Sequence, residues 1–237
     1  MRTSCSITRA VEGGRLLAYS QPIVDLPSGQ PVQEELLVRM KGRGEDIVKP
    51  IDFLPAAERL DVICAIDRWM LGRALELIAE GRTVAVNISA RSLTEHRLLD
   101  DVEQSLKSSG ADPACLIFEI TETAAAQNTD AARGFADRAL KLGCRLALDD
   151  FGTGFGAMTY LKSLPGHFLK IDMDFVRGLR IDEGNQRIVR TIVDIARRHG
   201  QRTIAEGVED PETAALLRQL GVDFAQGHLF GEPVPVD

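Results

Sequence analysis

Two spacings of apolar residues alternate along this chain. Short runs rich in Val, Ile and Leu recur at 16–26 (LLAYSQPIVDL), 32–40 (VQEELLVRM), 83–89, 116–121, 145–151, 167–172, 202–208 and 222–228. Several are continuously apolar, as in strands buried on both faces. Between them, 62–80, 97–108, 129–142, 184–199 and 211–220 place apolar residues at helical spacing. The last opens on Asp210-Pro211-Glu212, a side-chain cap followed by proline at the first helical position. Gly143, Gly200 and Gly221 each separate a helical run from a strand run, where a left-handed stop is expected.

The order of the runs predicts the architecture. Only Pro27-Ser28-Gly29-Gln30 joins the first two strands, too short for a parallel crossover, so they form an antiparallel hairpin. From residue 83 onward strands alternate with helices, the signature of parallel βα units. The expected fold is therefore α/β: a TIM-like (β/α)8 barrel with one antiparallel strand near the N-terminus, built as a single domain over residues 1–237. Ile7-Thr8-Arg9-Ala10-Val11-Glu12 reads as the tail of a helix from an upstream domain, and the closing GEPVPVD reads as a cut at the domain edge.

Composition narrows the function. The 44% hydrophobic content is enough for a full core. No apolar run reaches the roughly 18 residues of a membrane helix, and MRTSCSITRA lacks a secretory h-region, so a cytoplasmic location is expected. Cys5, Cys64, Cys115 and Cys144 show no CxxC spacing, which predicts free thiols rather than disulfides or structural zinc. Net charge is −7, from 35 acids against 28 bases, and argues against a grip on long nucleic acid. A small anionic ligand is still admissible, because a bound cation reverses the local field.

The candidate chemistry sits at the ends of the strands. Marking polar residues there gives Gln21, Glu35 with Arg39, Asn87, Glu119 with Glu122, Asp149 with Asp150, Lys170, Glu206 with Glu209, and Gln226. One acid in an apolar run means little, but a full set at equivalent places is different. Buried carboxylates repel one another and are costly to desolvate, so they coexist only where cations compensate. In such a barrel these strand ends converge on one mouth. Oxygen donors from Glu, Asn and Asp favour Mg²⁺, Mn²⁺ or Ca²⁺ over zinc. Asp149 and Asp150 can both reach one site only where the strand turns, and Phe151-Gly152-Thr153-Gly154 is read as supplying that break. Lys170, amid the carboxylates, is suited to orient a water.

These segments resemble the EAL family of cyclic di-GMP phosphodiesterases. Tyr19-Ser20-Gln21-Pro22-Ile23-Val24 is similar to the family's opening strand, and Glu35-Leu36-Leu37-Val38-Arg39 to the motif that names it, with leucine for alanine. Val86-Asn87-Ile88-Ser89, Glu119-Ile120-Thr121-Glu122, Asp149-Asp150-Phe151-Gly152-Thr153-Gly154, Leu169-Lys170-Ile171-Asp172, Glu206-Gly207-Val208-Glu209 and Gln226-Gly227 follow in the family's order. The resemblance implies two cations per site, Mg²⁺ or Mn²⁺. It implies that Glu35, Asn87, Glu119 and Asp149 hold the first, and that Asp149 and Asp150 help hold a second. Lys170 and Glu206 would position or deprotonate the attacking water, and Glu122 would anchor the loop after Asp150. Gln21, Leu37, Arg39 and Gln226 would face the substrate, with Glu209 supporting that side. Cyclic di-GMP opened to linear pGpG, a homodimer and an upstream sensory or GGDEF-type domain are likewise implied.

Two departures stand out. Gly154-Phe155-Gly156-Ala157-Met158 lacks the tyrosine and two serines usual in that loop, and His228 replaces a tyrosine. Neither removes a ligating group, so an active enzyme is expected, with lowered or dimer-dependent activity traced to the loop. A catalytically silent receptor is the competing reading. A glycosidase fits poorly, because one Trp and two Tyr provide few sugar platforms.

Overall fold

Eight strands close into a ring in the computed structural model, which describes residues 7–8, 10–11, 13–42, 46–152 and 164–236. In chain order the ten strands are β1 (Leu16–Asp25), β2 (Pro31–Lys41), β3 (Ile47–Val48), β4 (Val84–Asn87), β5 (Leu116–Thr121), β6 (Arg145–Phe151), β7 (Phe168–Ile171), β8 (Arg202–Ala205), β9 (Phe224–Gln226) and β10 (Val234–Pro235). The ring runs β1-β2-β4-β5-β6-β7-β8-β9 and closes back on β1. β1 is antiparallel to both β2 and β9, and every other ring pairing is parallel. The predicted barrel with one reversed N-terminal strand is thus the observed one.

Helices cover the outside: α1 (Pro50–Arg59), α2 (Ile63–Ala79), α3 (His96–Ser109), α4 (Glu122–Gln127), α5 (Thr129–Lys141), α6 (Met173–Val176), α7 (Glu183–Arg198) and α8 (Pro211–Leu220). Asp210 caps α8, accepting from the Thr213 amide at 2.8 Å, and Gly221 ends it at φ 87°. Gly143 and Gly200 take the predicted left-handed stops at φ 90° and 69°. Among the described residues β3, β10 and the helices α1, α4 and α6 lie outside the predicted pattern. The closing segment pairs with β1, Tyr19 opposite Pro235 and Ser20 opposite Val234. Among the described residues Cys64, Cys115 and Cys144 are free thiols. None of the described helices is long and apolar enough to cross a membrane.

Strand parity divides the protein into an outer and an inner core. Outward side chains such as Leu36, Val86, Phe118, Leu148 and Leu169 pack against the helices. Ile7 and Ala10, in the helical turn before β1, are buried in this same cluster. Inward side chains Ile23, Ala85, Ile117, Ala147, Phe168, Ile204 and Phe224 form a separate plug inside the ring. Two residues further along the parallel strands, the inward positions are Asn87, Glu119, Asp149, Lys170, Glu206 and Gln226. On reversed β1 the matching position lies two residues back, at Gln21, which pairs with Glu35. The polar residues picked out along the sequence are therefore one layer of the barrel, resting on an apolar floor.

Gln33 is the exception in that floor. It shares Glu35's face of β2, pairs with Ile23, and its buried Nε2 has no hydrogen-bond partner. Removing an unsatisfied buried donor while keeping its shape stabilises a fold by about 1 kcal/mol. Gln33→Met is expected to raise the unfolding free energy measured in urea by that increment; an unchanged or lower value would contradict the geometry.

Candidate metal centre at the barrel mouth

Lys170 is the hub of the polar layer. It is fully buried, and its Nζ lies 2.7 Å from Glu206, 2.8 Å from Glu119, 3.2 Å from Asp149 and 3.4 Å from Glu35. Four carboxylates thus face one ammonium. Glu35 is also held by Asn87 Nδ2, which donates at 2.7 Å, and by Gln226 Nε2, which donates at 2.8 Å. Glu119 keeps one carboxylate oxygen, Oε1, buried without any hydrogen-bond partner. A buried acceptor left open inside an anionic ring suits a cation, and the donors are the hard oxygens that Mg²⁺ or Mn²⁺ prefer.

The paired aspartates reach one side of this ring by a break inside the strand. Asp150 lies at φ 55°, in the left-handed region, and the β6–β7 register slips between Leu148 and Phe151. This bulge turns Asp150 to the same side as Asp149, since aspartate tolerates that conformation better than most residues. The break therefore comes at Asp150 itself, earlier than the Phe151–Gly154 turn read from sequence. Ligand oxygens of Asp149, Asp150 and Glu206 consequently lie within 4.8 Å of one another. Behind them Glu122, at the start of α4, accepts from the Gly152 amide at 3.2 Å and pins the chain leaving β6. Residues 154–158, where the loop departs from the family pattern, lie outside the described residues.

Burial and crowding shift the carboxyls in different directions. Burial drives Glu119 well above its ordinary value, with the Glu35 charge adding to it. Asp149 is raised mainly by burial despite Lys170. Asp150 is pushed up to about 6 by burial and by Asp149, and Glu206 to about 8, chiefly by burial. Glu35 goes the other way: burial opposes its charge, but Lys170, Gln226 and Asn87 together hold it below the usual range. For Lys170 burial works against the ammonium, yet its ring of carboxylates outweighs that and raises it well above normal.

The remaining predicted residues lie around the rim. Gln21 and Gln226 are buried and hydrogen-bonded to each other at 3.0 Å. Leu37 and Arg39 continue the inward face of β2 above Glu35, with the Arg39 guanidinium 5.4 Å from the Tyr19 ring. Glu209 is exposed and is not among the four carboxylates on Lys170; His228 is exposed as well. Gly227 is required by close approach, because a Cβ there would strike the Val208 main chain. That contact lets the strand carrying Gln226 lie against the one leading from Glu206.

A cavity of about 540 Å³ opens beside the ring, with Leu37, Asn87, Asp149, Asp150, Asp67 and Met70 among its lining residues. Asp67 was not singled out from sequence. It is buried, accepts from the Ser89 amide at 3.0 Å, and is raised above its ordinary value by burial. The available signal was one charge within the apolar face Ile63, Ile66, Met70, Leu71 and Ala74 of α2.

Comparison with known proteins agrees with this geometry. The family model described as the EAL domain matches residues 4–233. The chain is 33% identical over 236 residues to the cyclic di-GMP phosphodiesterase PdeF of Escherichia coli K12, covering 97% of this chain and 31% of that protein. It is 34% identical to the bifunctional diguanylate cyclase/cyclic di-GMP phosphodiesterase MucR of Pseudomonas aeruginosa, covering 98% of this chain and 35% of that one. It thus spans about a third of the length of these curated relatives. The solved PaMucR phosphodiesterase in complex with c-di-GMP superposes with a TM-score of 0.92 at 32% identity, covering 100% of this chain and 98% of that one. The FimX EAL domain of Pseudomonas aeruginosa bound to c-di-GMP gives 0.91 at 27% identity, covering 98% and 96%. With its barrel, its order of motifs and its family match in agreement over nearly the whole length, the chain belongs to the EAL domain family.

Proposed function

We propose that this chain hydrolyses cyclic di-GMP to linear pGpG, using water activated at a divalent-cation centre in the barrel mouth. The observation that carries this reading is the ring of four carboxylates around Lys170, three buried and Glu206 partly exposed, with Glu119 Oε1 left unpaired. Relatives named as cyclic di-GMP phosphodiesterases supply the substrate. Glu35, Asn87, Glu119 and Asp149 would hold one cation, and Asp149 with Asp150 a second. Mg²⁺ or Mn²⁺ there would neutralise charge on the phosphodiester and acidify water at neutral pH. Glu206 would take the proton from that water, and Lys170, 2.7 Å from Glu206, would fix the geometry of the pair. Water oxygen would attack phosphorus as its proton passes to Glu206, the bond to the 3′ oxygen would break, and that oxygen would take up a proton from solvent. Leu37 and Arg39 stand on the substrate side of this layer, and a homodimer beside an upstream sensory or GGDEF-type domain is the proposed setting.

The direct test incubates the protein with cyclic di-GMP and Mn²⁺ or Mg²⁺, with and without EDTA. Appearance of pGpG that EDTA abolishes is the expected result. Tight binding without product would assign the chain to the receptors instead.

The raised carboxyls give a pH prediction. In metal-free protein Asp150 and Glu206 titrate near 6 and 8, above their unfolded values of 3.8 and 4.5. Groups raised in this way favour the folded state below the unfolded value, and that contribution is lost as pH rises through the folded one. Metal-free stability should therefore fall from about pH 4 to pH 8. Cation affinity should climb over the same interval, because binding must displace these protons. Titration calorimetry with Mn²⁺ in buffers of different ionisation heat should show proton release at pH 7 that declines by pH 9. Pure cation uptake without proton release at pH 7 would contradict the assignment.

A further inference from the structure

Gln226 Nε2 and both polar atoms of the Gln21 amide are hydrogen-bonded inside the protein, while Gln226 Oε1 is buried without a hydrogen-bond partner. A carboxylate only accepts, so Gln226 must turn Nε2 towards Glu35, where it donates at 2.8 Å. The same nitrogen donates at 3.0 Å to Gln21 Oε1. Gln21 therefore presents its own Nε2 outward, and the Gly231 carbonyl accepts from it at 2.9 Å. Both side chains are buried. A substrate contact through Gln226 Nε2, both of whose protons are used, would have to break one of these bonds and leave a buried acceptor unsatisfied.

The path crosses the one irregular seam of the barrel. β9, β1 and β2 carry Gln226, Gln21 and Glu35, and β1 runs against both neighbours. The far end is firmly seated. Leu229 N donates to Val208 O at 3.1 Å and Phe230 N to Gly227 O at 3.0 Å. A Cβ on Gly231 would stand 2.9 Å from the Pro22 ring, so the Gly231 main chain lies directly against β1.

We propose that Gln21 and Gln226 are positioning residues, a two-amide relay that ties the Glu35 carboxylate to the Gly231 carbonyl across the reversed strand. The proposal rests on the cation-dependent reading above and replaces, for these two residues, the substrate contact implied by the family resemblance. Its consequence is that the loop after β9, which carries the divergent His228, sets the orientation of a cation ligand without touching the cation or the substrate.

The test separates cation affinity from substrate affinity. Gln21→Met keeps the length of the side chain and removes both of its hydrogen bonds. Free Mn²⁺ is read by electron paramagnetic resonance, and KM for cyclic di-GMP is measured at saturating Mn²⁺. Loss of such outer support costs about 10–100-fold in metal affinity. The expected result is Mn²⁺ binding weakened about tenfold or more with KM changed by less than about twofold. Gly231→Ala, which shifts the carbonyl from outside the site, should move Mn²⁺ affinity in the same direction by a smaller factor, and it carries the test if Gln21→Met unfolds. Unchanged Mn²⁺ affinity with a raised KM would overturn the relay and return Gln21 to the substrate. Failure of the wild-type protein to bind Mn²⁺ would appear before any variant is compared; it would refute the proposed function, and the relay with it.

Discussion

Lys170→Met should lose turnover of cyclic di-GMP by about 10³-fold, the scale of a positioned acid–base group, and should destabilise the metal-free protein by about 3–5 kcal/mol. The two effects have separate origins. Nζ, itself fully buried, lies within 3.4 Å of Glu35, Glu119, Asp149 and Glu206. Removing the ammonium leaves four carboxylates with no positive partner, and several must take up protons to remain buried. The destabilisation should therefore be larger at pH 8 than at pH 5. Added Mn²⁺ supplies new positive charge at the same acids and should recover most of the stability. It cannot recover the ammonium beside Glu206, so turnover should stay low. Urea midpoints with EDTA and with Mn²⁺, set beside pGpG formation, resolve the two roles. A variant as stable as wild type in EDTA would mean that Lys170 is not the counter-charge of the layer.

That layer was legible in the sequence for a simple reason. Each of its members interrupts an apolar run at an inward position, and the period of two that makes a strand fixes which face it takes. Glu119 in LIFEIT and Lys170 in HFLKID are visible because hydrophobic neighbours leave them no surface to occupy. The helices were legible in the same way, from an apolar stripe bounded by caps and glycines.

What escaped depends on contacts between distant segments. β3 and β10 are two-residue strands, too short to carry a period, and exist because β2 and β1 offer unpaired edges. α1 buries only Phe53 and Ala57 and contains Pro55, so its apolar stripe is thin. The left-handed turn at Asp150 is a backbone state that aspartate permits without announcing. The direction of the two glutamine amides follows only from the partners at their ends, Glu35 and Gly231, which lie 191 and 210 residues away along the chain.

Glu35→Ala and Glu206→Gln should separate holding the cation from using it. Glu35 takes hydrogen bonds from Asn87 and Gln226 and an ion pair from Lys170, so its carboxylate is the most firmly fixed oxygen donor in the ring. It is also the carboxyl held below its ordinary value, ready to meet a cation without first losing a proton. Its removal should weaken Mn²⁺ binding by more than about 100-fold, beyond the loss of outer support alone, and should reduce product below detection. Glu206→Gln preserves size and an acceptor for Lys170 while removing the base. Mn²⁺ affinity should fall by less than about tenfold, whereas turnover at saturating Mn²⁺ should fall about 10²–10⁴-fold, the usual contribution of a general base. The competing arrangement makes the opposite forecast. Asp149, Asp150 and Glu206 already bring ligand oxygens within 4.8 Å, and a cation seated chiefly there would be lost with Glu206→Gln and kept with Glu35→Ala. Mn²⁺ affinities of the two variants, compared directly, decide on which side of Lys170 the tighter cation sits.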